Sequence, residues 1–493
     1  MRQLWAIFLL LLGCTDPTDP TEPQSERSAP NILVILGDDM GVETLSAYDI
    51  GTPTAVTPNL DQLAARGMRF ERFWSQAACS PTRAAILTGR YGFRTGVVTP
   101  LFYGWSKMDP AIVPQPSVPA GSPREIDFTP RAPVPDGVDF TMSSLPPTFP
   151  TPKGPANDEL MLPAILKSLP AKYATAAIGK WHLADFHNGN LMHPNHVGFD
   201  YFSGTLYGSP KSYFAWRHVE NGQLSAATGY VDSRAIDDAK KWIGQQTGHP
   251  WFVWLGFTSP HTPLHRPPME LLHSAARDLD PDAVAPETAQ AYFLAQIEAM
   301  DTLIGELLSS MSQETLANTY VIFLGDNGTA SWDQPPAPRD PRRVKMTVYE
   351  GGVAVPLIIA GPNIGGGQVR RPLAHVVDLF STIIELAGGT VATTVPDDTV
   401  IDSVSMTRYL LDTNTASPRD WVLTEITFGL VLSRAIRNDR YKLIWRNDEQ
   451  EFYDLDSDPH ELNALDLSSL SGIEQDNYTE LSATVEQLLG RSH

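Results

Sequence analysis

Cysteine is almost missing: the chain has two in 493 residues, Cys14 and Cys79. Two cysteines cannot make a disulfide-dense scaffold, and no close cysteine pair is present to hold a structural zinc. Positive charge is scarce too. Lys and Arg number 36 against 57 Asp and Glu, a formal net charge of −21. That balance repels phosphate backbones and argues against a nucleic-acid partner. An anionic ligand would have to be met by cations gathered at one place. Beyond the N-terminus no apolar run is long enough to read as membrane-spanning. Hydrophobic residues still make up 42% of the chain, enough for one big domain, or a big and a small one.

The N-terminus reads "MRQLWAIFLLLLGC". Arg2 supplies a positive start, and Leu4 to Leu12 is an apolar run too short to cross a bilayer as a helix. Residues 1–13 therefore read as a lipoprotein signal peptide. "LLGC" resembles the bacterial lipobox, which makes Cys14 the lipidated first residue of the mature chain; plain secretion is the alternative. Residues 14–29 are polar and proline-rich, a tether. An exported protein is expected, in the periplasm or at the cell surface, touching the membrane only through its lipid anchor. With Cys14 so used, Cys79 is an unpaired thiol in an oxidising compartment, which asks for an explanation.

Four apolar runs end abruptly in polar residues: "NILVILGDD", "ATAAIGKWH", "WFVWLGFTSPH" and "YVIFLGDNG". They do not alternate, so they read as strands buried on both faces, as in a parallel sheet covered by helices. Helical patterns lie between them. "TPNLDQLAARG" offers Thr57 as N-cap, Pro58 at the first helical position and Gly67 as the stop. Phe293, Ile297, Met300, Ile304 and Leu307 form one helical face. Strands alternating with helices predict a doubly wound α/β domain, here over residues 30–389. A proline-rich insertion at about 109–155 reads as a long loop near the site mouth. Residues 390–493 read as a smaller C-terminal subdomain, with antiparallel strands in "AIRNDRYKLIWRN" and "EFYDLDSDP" and a last helix near Leu481 to Leu489.

In such sheets ligands bind beyond the carboxyl ends of the strands. Asp38 and Asp39, Lys180 and His182, His261, and Asp326 and Asn327 all follow directly on the four runs. Three carboxylates and an amide oxygen are hard ligands, suited to Ca²⁺ or Mg²⁺ rather than zinc. Either acidic motif alone could be a simple turn; their pairing on two strand ends is harder to dismiss. Lys180, Lys345 and Arg83 are natural partners for a tetrahedral oxyanion. Cys79 could be a buried apolar thiol or a thiolate activated at a helix start.

A third reading comes from "CSPTRAAILTG". It resembles the signature of the formylglycine-dependent type I sulfatases, in which C-x-P-x-R directs oxidation of the cysteine to an aldehyde. The ordered motifs "GDD", "GKWHL", "PHTP", "GDNG", "KMTVYEGG", "VPLIIAGP" and "FYDLDSDPHE" extend the similarity over nearly the whole chain after the tether.

The resemblance implies an alkaline-phosphatase-like fold: a doubly wound, mixed but mostly parallel sheet flanked by helices, with a smaller C-terminal α+β subdomain. It also implies hydrolysis of a sulfate ester, with Ca²⁺ (Mg²⁺ as the alternative) and a formylglycine made from Cys79 by a maturation enzyme. Carried over, Asp38, Asp39, Asp326 and Asn327 are metal ligands, with residue 79 adding an oxygen. Arg83 holds the formylglycine, and Lys180, Lys345 and His261 bind the sulfate ester. The hydrated aldehyde is the nucleophile, Asp326 assists its deprotonation, His261 protonates the leaving alcohol, and His182 assists expulsion of sulfate. Met346 departs from the family, where a small residue, often glycine, follows the lysine. Export, an acidic surface and a long loop fit a sulfated polysaccharide or oligosaccharide, with a small aryl or alkyl sulfate as the alternative. The rival readings are a phosphatase or phosphodiesterase of the same superfamily, and a non-catalytic lipoprotein that binds sulfated glycans.

Overall fold

The structure, a computed structural model, describes residues 29–101, 115–127, 133–134, 138–139, 153–333, 336–338, 340–412 and 415–490. The expected leader, Cys14, most of the tether and much of the proline-rich stretch lie outside the described residues.

Ten strands form the main sheet: β1 (Asn31–Gly37), β2 (Met68–Phe70), β3 (Ala174–Lys180), β4 (Tyr201–Thr205), β5 (Ala215–Glu220), β6 (Gln223–Thr228), β7 (Trp251–Gly256), β8 (Thr319–Gly325), β9 (Leu357–Ala360) and β10 (Gln368–Arg370). Their spatial order is β10-β2-β9-β8-β1-β7-β3-β4-β5-β6. The central block β8-β1-β7-β3-β4 is parallel. Antiparallel strands flank it, β9 on one side and β5-β6 on the other. The expected mixed, mostly parallel sheet is what forms.

The non-alternating runs behave as two-sided burial requires. Every residue of β1, β7 and β8 is buried. Ile32, Val34 and Leu36 face one core and Leu33 and Ile35 the other, and β7 and β8 divide the same way. Helices cover both faces, among them α1 (Pro58–Arg66), α2 (Cys79–Thr88), α3 (Val231–Gly244), α4 (Ala289–Ser310) and α5 (Asp378–Leu386). On α4, Phe293, Ile297, Met300, Ile304 and Leu307 are fully buried in the second core. Among the described residues no helix is long and apolar enough to cross a membrane.

The start of α1 corrects one detail. Pro58 opens the helix and Gly67 follows it, but the Thr57 hydroxyl caps nothing. The orphan N–H groups of Asn59 and Leu60 instead donate to Asp301 of α4, at 3.1 and 2.7 Å. A distant carboxylate does the work expected of a local hydroxyl.

Near the C-terminus β11 (Val422–Phe428), β12 (Val431–Arg437), β13 (Tyr441–Arg446) and β14 (Glu449–Asp454) form an antiparallel meander. Helix α6 (Ile473–Gly490) packs on it through Leu481 and Val485. It begins eight residues before the expected start, because its first two turns are polar and carry no apolar stripe. Leu423, Ile436, Leu443 and Phe452 share one hydrophobic cluster with Val34 and Ile322 of the main sheet, so the two parts have a continuous core. Within the proline-rich stretch, Pro133–Val134 pairs with Val138–Asp139, a short ladder that the lack of periodicity did not signal.

Candidate active site

The carboxyl ends of β1, β3, β7 and β8 meet because those strands are neighbours. Their register sets glycines side by side there: Gly37 opposite Gly325, Gly256 opposite Gly179, and Gly179 opposite Gly204. Gly256 shows what the small residue is for. A Cβ there would lie 2.4 Å from the Lys180 carbonyl oxygen and 2.9 Å from Arg83 Nη1. Any side chain would push Arg83 out of the floor of the site.

Above that floor lie Asp38 and Asp39 from β1, Asp326 and Asn327 from β8, and Cys79 at the first position of α2. One ligand atom from each of Asp38, Asp39, Cys79 and Asp326 lies within 4.8 Å of the others, and all four residues are buried. The Cys79 thiol lies 3.3 Å from Asp38 Oδ1 and 3.9 Å from Asp39 Oδ1. Asn327 Nδ2 donates to Asp39 Oδ1 at 2.9 Å. Asp39 Oδ2 and Asn327 Oδ1 are buried with no hydrogen-bond partner. Burying carboxylates with oxygens left unpaired is costly unless a cation completes the set. The donors are oxygens, as a hard divalent cation requires, so Asp38, Asp39, Asp326 and Asn327 fit Ca²⁺ or Mg²⁺.

Cations ring the acids. Lys180 Nζ bonds Asp38 and lies 3.7 Å from Cys79 Sγ, and Lys345 Nζ bonds Asp39. Arg83 sends Nε and Nη2 to Asp326 Oδ2, at 3.1 and 2.9 Å, and Nη1 to the Lys180 carbonyl at 2.7 Å. Its donors are thus spent on Asp326 and the backbone rather than on Cys79 Sγ, with both side chains of that ion pair fully buried. His261 Nε2 lies 3.8 Å from Asp39 Oδ2, and its Nδ1 is 2.8 Å from the Thr262 carbonyl. His182 Nε2 contacts the Leu101 carbonyl at 3.1 Å, while Nδ1 has no partner.

Burial and charge set the protonation tendencies. Burial, then Asp326 and Asp38, push the Cys79 thiol well above its ordinary value, which disfavours the thiolate. Asp326 is raised to about 6, first by burial and then by Asp38. Burial would raise Asp39 as well, but Lys345, His261 and Lys180 outweigh it and hold that carboxyl below the usual range. Burial lowers His261 to about 4. Burial, then Lys180 and Arg83, lower His182 well below its usual value.

Backbone strain concentrates at the same place. Asp39, His182 and Met346 adopt φ of 68°, 61° and 71°. A left-handed non-glycine residue costs of order 1 kcal/mol or more and persists where its surroundings over-determine it. Met346 is held by donating its N–H to the Ala77 carbonyl at 2.9 Å, which ties the Lys345 loop to the residues just before Cys79. That φ is one glycine adopts freely, so the departure at Met346 keeps the backbone and strains the residue.

Sequence reasoning missed Asp232 on α3. Its carboxylate accepts the N–H groups of Thr258 and Ser259, at 3.0 and 3.1 Å, and the Ser259 hydroxyl. Ser259 in turn accepts the Asp38 N–H through its carbonyl, at 3.1 Å, and Tyr213 Oη donates to the carbonyls of Thr258 and His261. Asp232 thereby fixes the loop that carries His261. An acid in the first turn of a helix is too ordinary to give this away. Asp232→Ala would leave three buried donors unpaired, each worth about 1–3 kcal/mol. The expected outcome is a loss of about 3 kcal/mol or more in denaturant titration, with a large drop in activity of the folded fraction. Unchanged stability would refute the assignment.

The sulfatase family model matches residues 30–125 and 128–389. N-acetylgalactosamine-6-sulfatase of Homo sapiens is 30% identical over 410 residues, covering 78% of this chain and 66% of that protein, just under two thirds of its length. Arylsulfatase G of Rattus norvegicus is 26% identical over 480 residues, covering 86% and 77%. Among solved structures, Ps i-CgsB in complex with k-i-k-neocarrahexaose superposes with a TM-score of 0.70 at 21% identity, covering 94% and 93%. BT4656 in complex with D-glucosamine-2-N,6-O-disulfate gives 0.66 at 20% identity, covering 94% and 99%. At those identities the two structures speak to the fold.

Proposed function

Because this chain belongs to the sulfatase family, we propose that it hydrolyses a sulfate ester of a sulfated carbohydrate and releases inorganic sulfate. The observation that carries the reading is the buried ring of Asp38, Asp39, Asp326 and Asn327 around Cys79, with Lys180, Lys345 and Arg83 packed into it. The glycan complexes of Ps i-CgsB and BT4656 and the name of the N-acetylgalactosamine-6-sulfatase support a sugar substrate.

Residue 79, converted by a maturation enzyme to formylglycine, would supply the nucleophilic oxygen, and Ca²⁺ or Mg²⁺ held by the four ligands would act as Lewis acid toward the sulfate. The chain's own groups do the rest. Lys180 and Lys345 place ammonium charges beside residue 79, where they bind and stabilise sulfate oxygens. Asp326, raised toward neutrality, has Oδ2 fixed by Arg83 and Oδ1 fixed by the Asp39 N–H at 3.2 Å, which holds the carboxylate in place to take a proton. The contact of His261 Nδ1 with the Thr262 carbonyl leaves Nε2 to deliver a proton to the departing alcohol, and the negative charge of a bound sulfate ester favours a proton there. His182, held neutral, takes up a proton at the unpartnered Nδ1. Cys14, as a lipidated residue, would anchor the exported protein in the periplasm or at the cell surface.

The test is side-by-side hydrolysis of nitrophenyl sulfate and nitrophenyl phosphate, with a sulfate assay on defined sulfated sugars. Sulfate is expected to be the better substrate by about tenfold or more, a difference of 1.4 kcal/mol in transition-state stabilisation. Chelation should remove the activity, and Ca²⁺ or Mg²⁺ should restore it better than Zn²⁺. A preference for phosphate, or full activity after chelation, would overturn the reading.

A further inference from the structure

Asp333 is a buried carboxyl group without a hydrogen-bond partner among the described residues. It closes the single turn Ser331–Asp333, a few residues past Asp326 and Asn327. The residue is fully buried, and neither Oδ1 nor Oδ2 has a hydrogen-bond partner. Native proteins leave few such groups, and each calls for a cause. No cation pairs with it among the described residues, and it stands outside the set of close ligand atoms formed by Asp38, Asp39, Cys79 and Asp326.

Its surroundings tie it to the site. Burial first, then Asp39, Asp38 and Asp127 hold its carboxyl well above the usual carboxylate range against the opposing pull of Lys345, the fourth charged group that acts on it. Three of the four are site residues. Asp127 follows Ile126, which bridges to Leu264, three residues past His261. The segment leading to Asp333 is pinned to the same walls. Thr329 accepts the Lys345 N–H through its carbonyl at 3.1 Å, and its hydroxyl accepts the Gly41 N–H at 3.3 Å and donates to Glu43 at 2.6 Å. Asp333 therefore lies within electrostatic reach of Asp39 and Lys345, on the segment that Thr329 ties to the Lys345 loop.

We propose that Asp333 is a substrate-binding residue, whose carboxyl group hydrogen-bonds a hydroxyl or amino group of the sulfated sugar close to the ester that is cleaved. The inference rests on the sulfatase reading above. It accounts for the unpartnered oxygens, since the missing partner arrives with the substrate. It also sets a preference. Asp38 and Asp39 are already met by Lys180 and Lys345, so the preference comes from Asp333 itself: its carboxyl oxygens accept a neighbouring hydroxyl or ammonium donor, and an anionic uronate or second sulfate at that position offers none and is disfavoured.

The experiment compares nitrophenyl sulfate, which has no such group, with singly sulfated hexoses and hexosamines and with sulfated uronic acids. Each sugar is scored as a substrate or as a competitive inhibitor of nitrophenyl sulfate hydrolysis. The wild-type protein is expected to favour hexose or hexosamine sulfates over uronic acid sulfates. In Asp333→Leu the ratio of sugar to nitrophenyl sulfate recognition should fall about tenfold, the loss of one hydrogen bond to a carboxyl group. Its thermal midpoint should not fall, because an unpaired buried carboxyl has been removed. Should the leucine variant fail to fold, Asp333→Asn decides by the same ratio, with a fall of about threefold or more expected. An unmoved ratio, or a wild-type protein that favours no sugar sulfate, overturns this inference alone. Release of sulfate from no ester at all overturns the sulfatase reading, and this inference with it.

Discussion

Cys79→Ala should abolish sulfate release, by on the order of 10⁴-fold or more, as when a nucleophile is removed from an otherwise intact site. Cys79→Ser should do nearly as much harm with the fold kept, because a serine has a single hydroxyl and cannot regenerate a carbonyl. The thiol itself is poorly suited to attack: it is buried, and Asp38 and Asp326 oppose its ionisation. Mass spectrometry of the peptide that contains residue 79, in active protein, should show the aldehyde in place of the thiol. Full activity with an unmodified thiol would refute the mechanism. Cys14 offers the control. It lacks the proline and arginine that follow Cys79, and its replacement should leave the rate unchanged.

The second large effect belongs to Asp326. Asp326→Ala removes the residue proposed as metal ligand and proton acceptor, and it leaves the buried guanidinium of Arg83 without its carboxylate. Breaking a buried pair from one side typically costs about 3–5 kcal/mol. Both the denaturation midpoint and the rate should fall, the rate by at least the ~10²–10⁴-fold of general acid–base catalysis. Asn327→Ala removes a neutral ligand and one hydrogen bond to Asp39, so it should do less on both counts. Denaturant titration and steady-state kinetics on the two variants decide the matter. Equal effects, or the reverse order, would contradict the roles given to Asp326.

The parts of this protein that could be read from its sequence are those written locally. Apolar runs that stop at "GDD", "GKWH" and "GDNG" announce buried strands and the edge where a site gathers, and those residues do meet. What escaped depends on contacts between distant residues. The cap of α1 comes from Asp301, and the loop of His261 is held by Asp232, both hidden among ordinary helix acids. The "SWDQPP" stretch reads as a loop, and nothing in it reveals that Asp333 is buried without a partner. At Met346 the departure from the family pattern was visible, but the left-handed backbone that makes it a strain was not. Nor does the sequence show that Arg83, expected to hold residue 79 as formylglycine, also bonds Asp326 and the Lys180 carbonyl.

One feature of the packing imposes an order on events in the cell. Every residue of α2 from Cys79 to Thr88 is buried, and Cys79 itself is 2% exposed. Three residues before it, the Gln76 side chain accepts the Thr424 hydroxyl and the Glu425 N–H of β11, at 3.1 and 3.0 Å. β11 lies more than three hundred residues downstream and is made late in synthesis. On the proposed reading, a maturation enzyme that needs Cys79, Pro81 and Arg83 exposed would therefore work against a clock. Its window would be open while the nascent chain is unfinished or unfolded, and would shut as the chain folds. A chain that folds before it is modified would be stable, correctly shaped and permanently inactive.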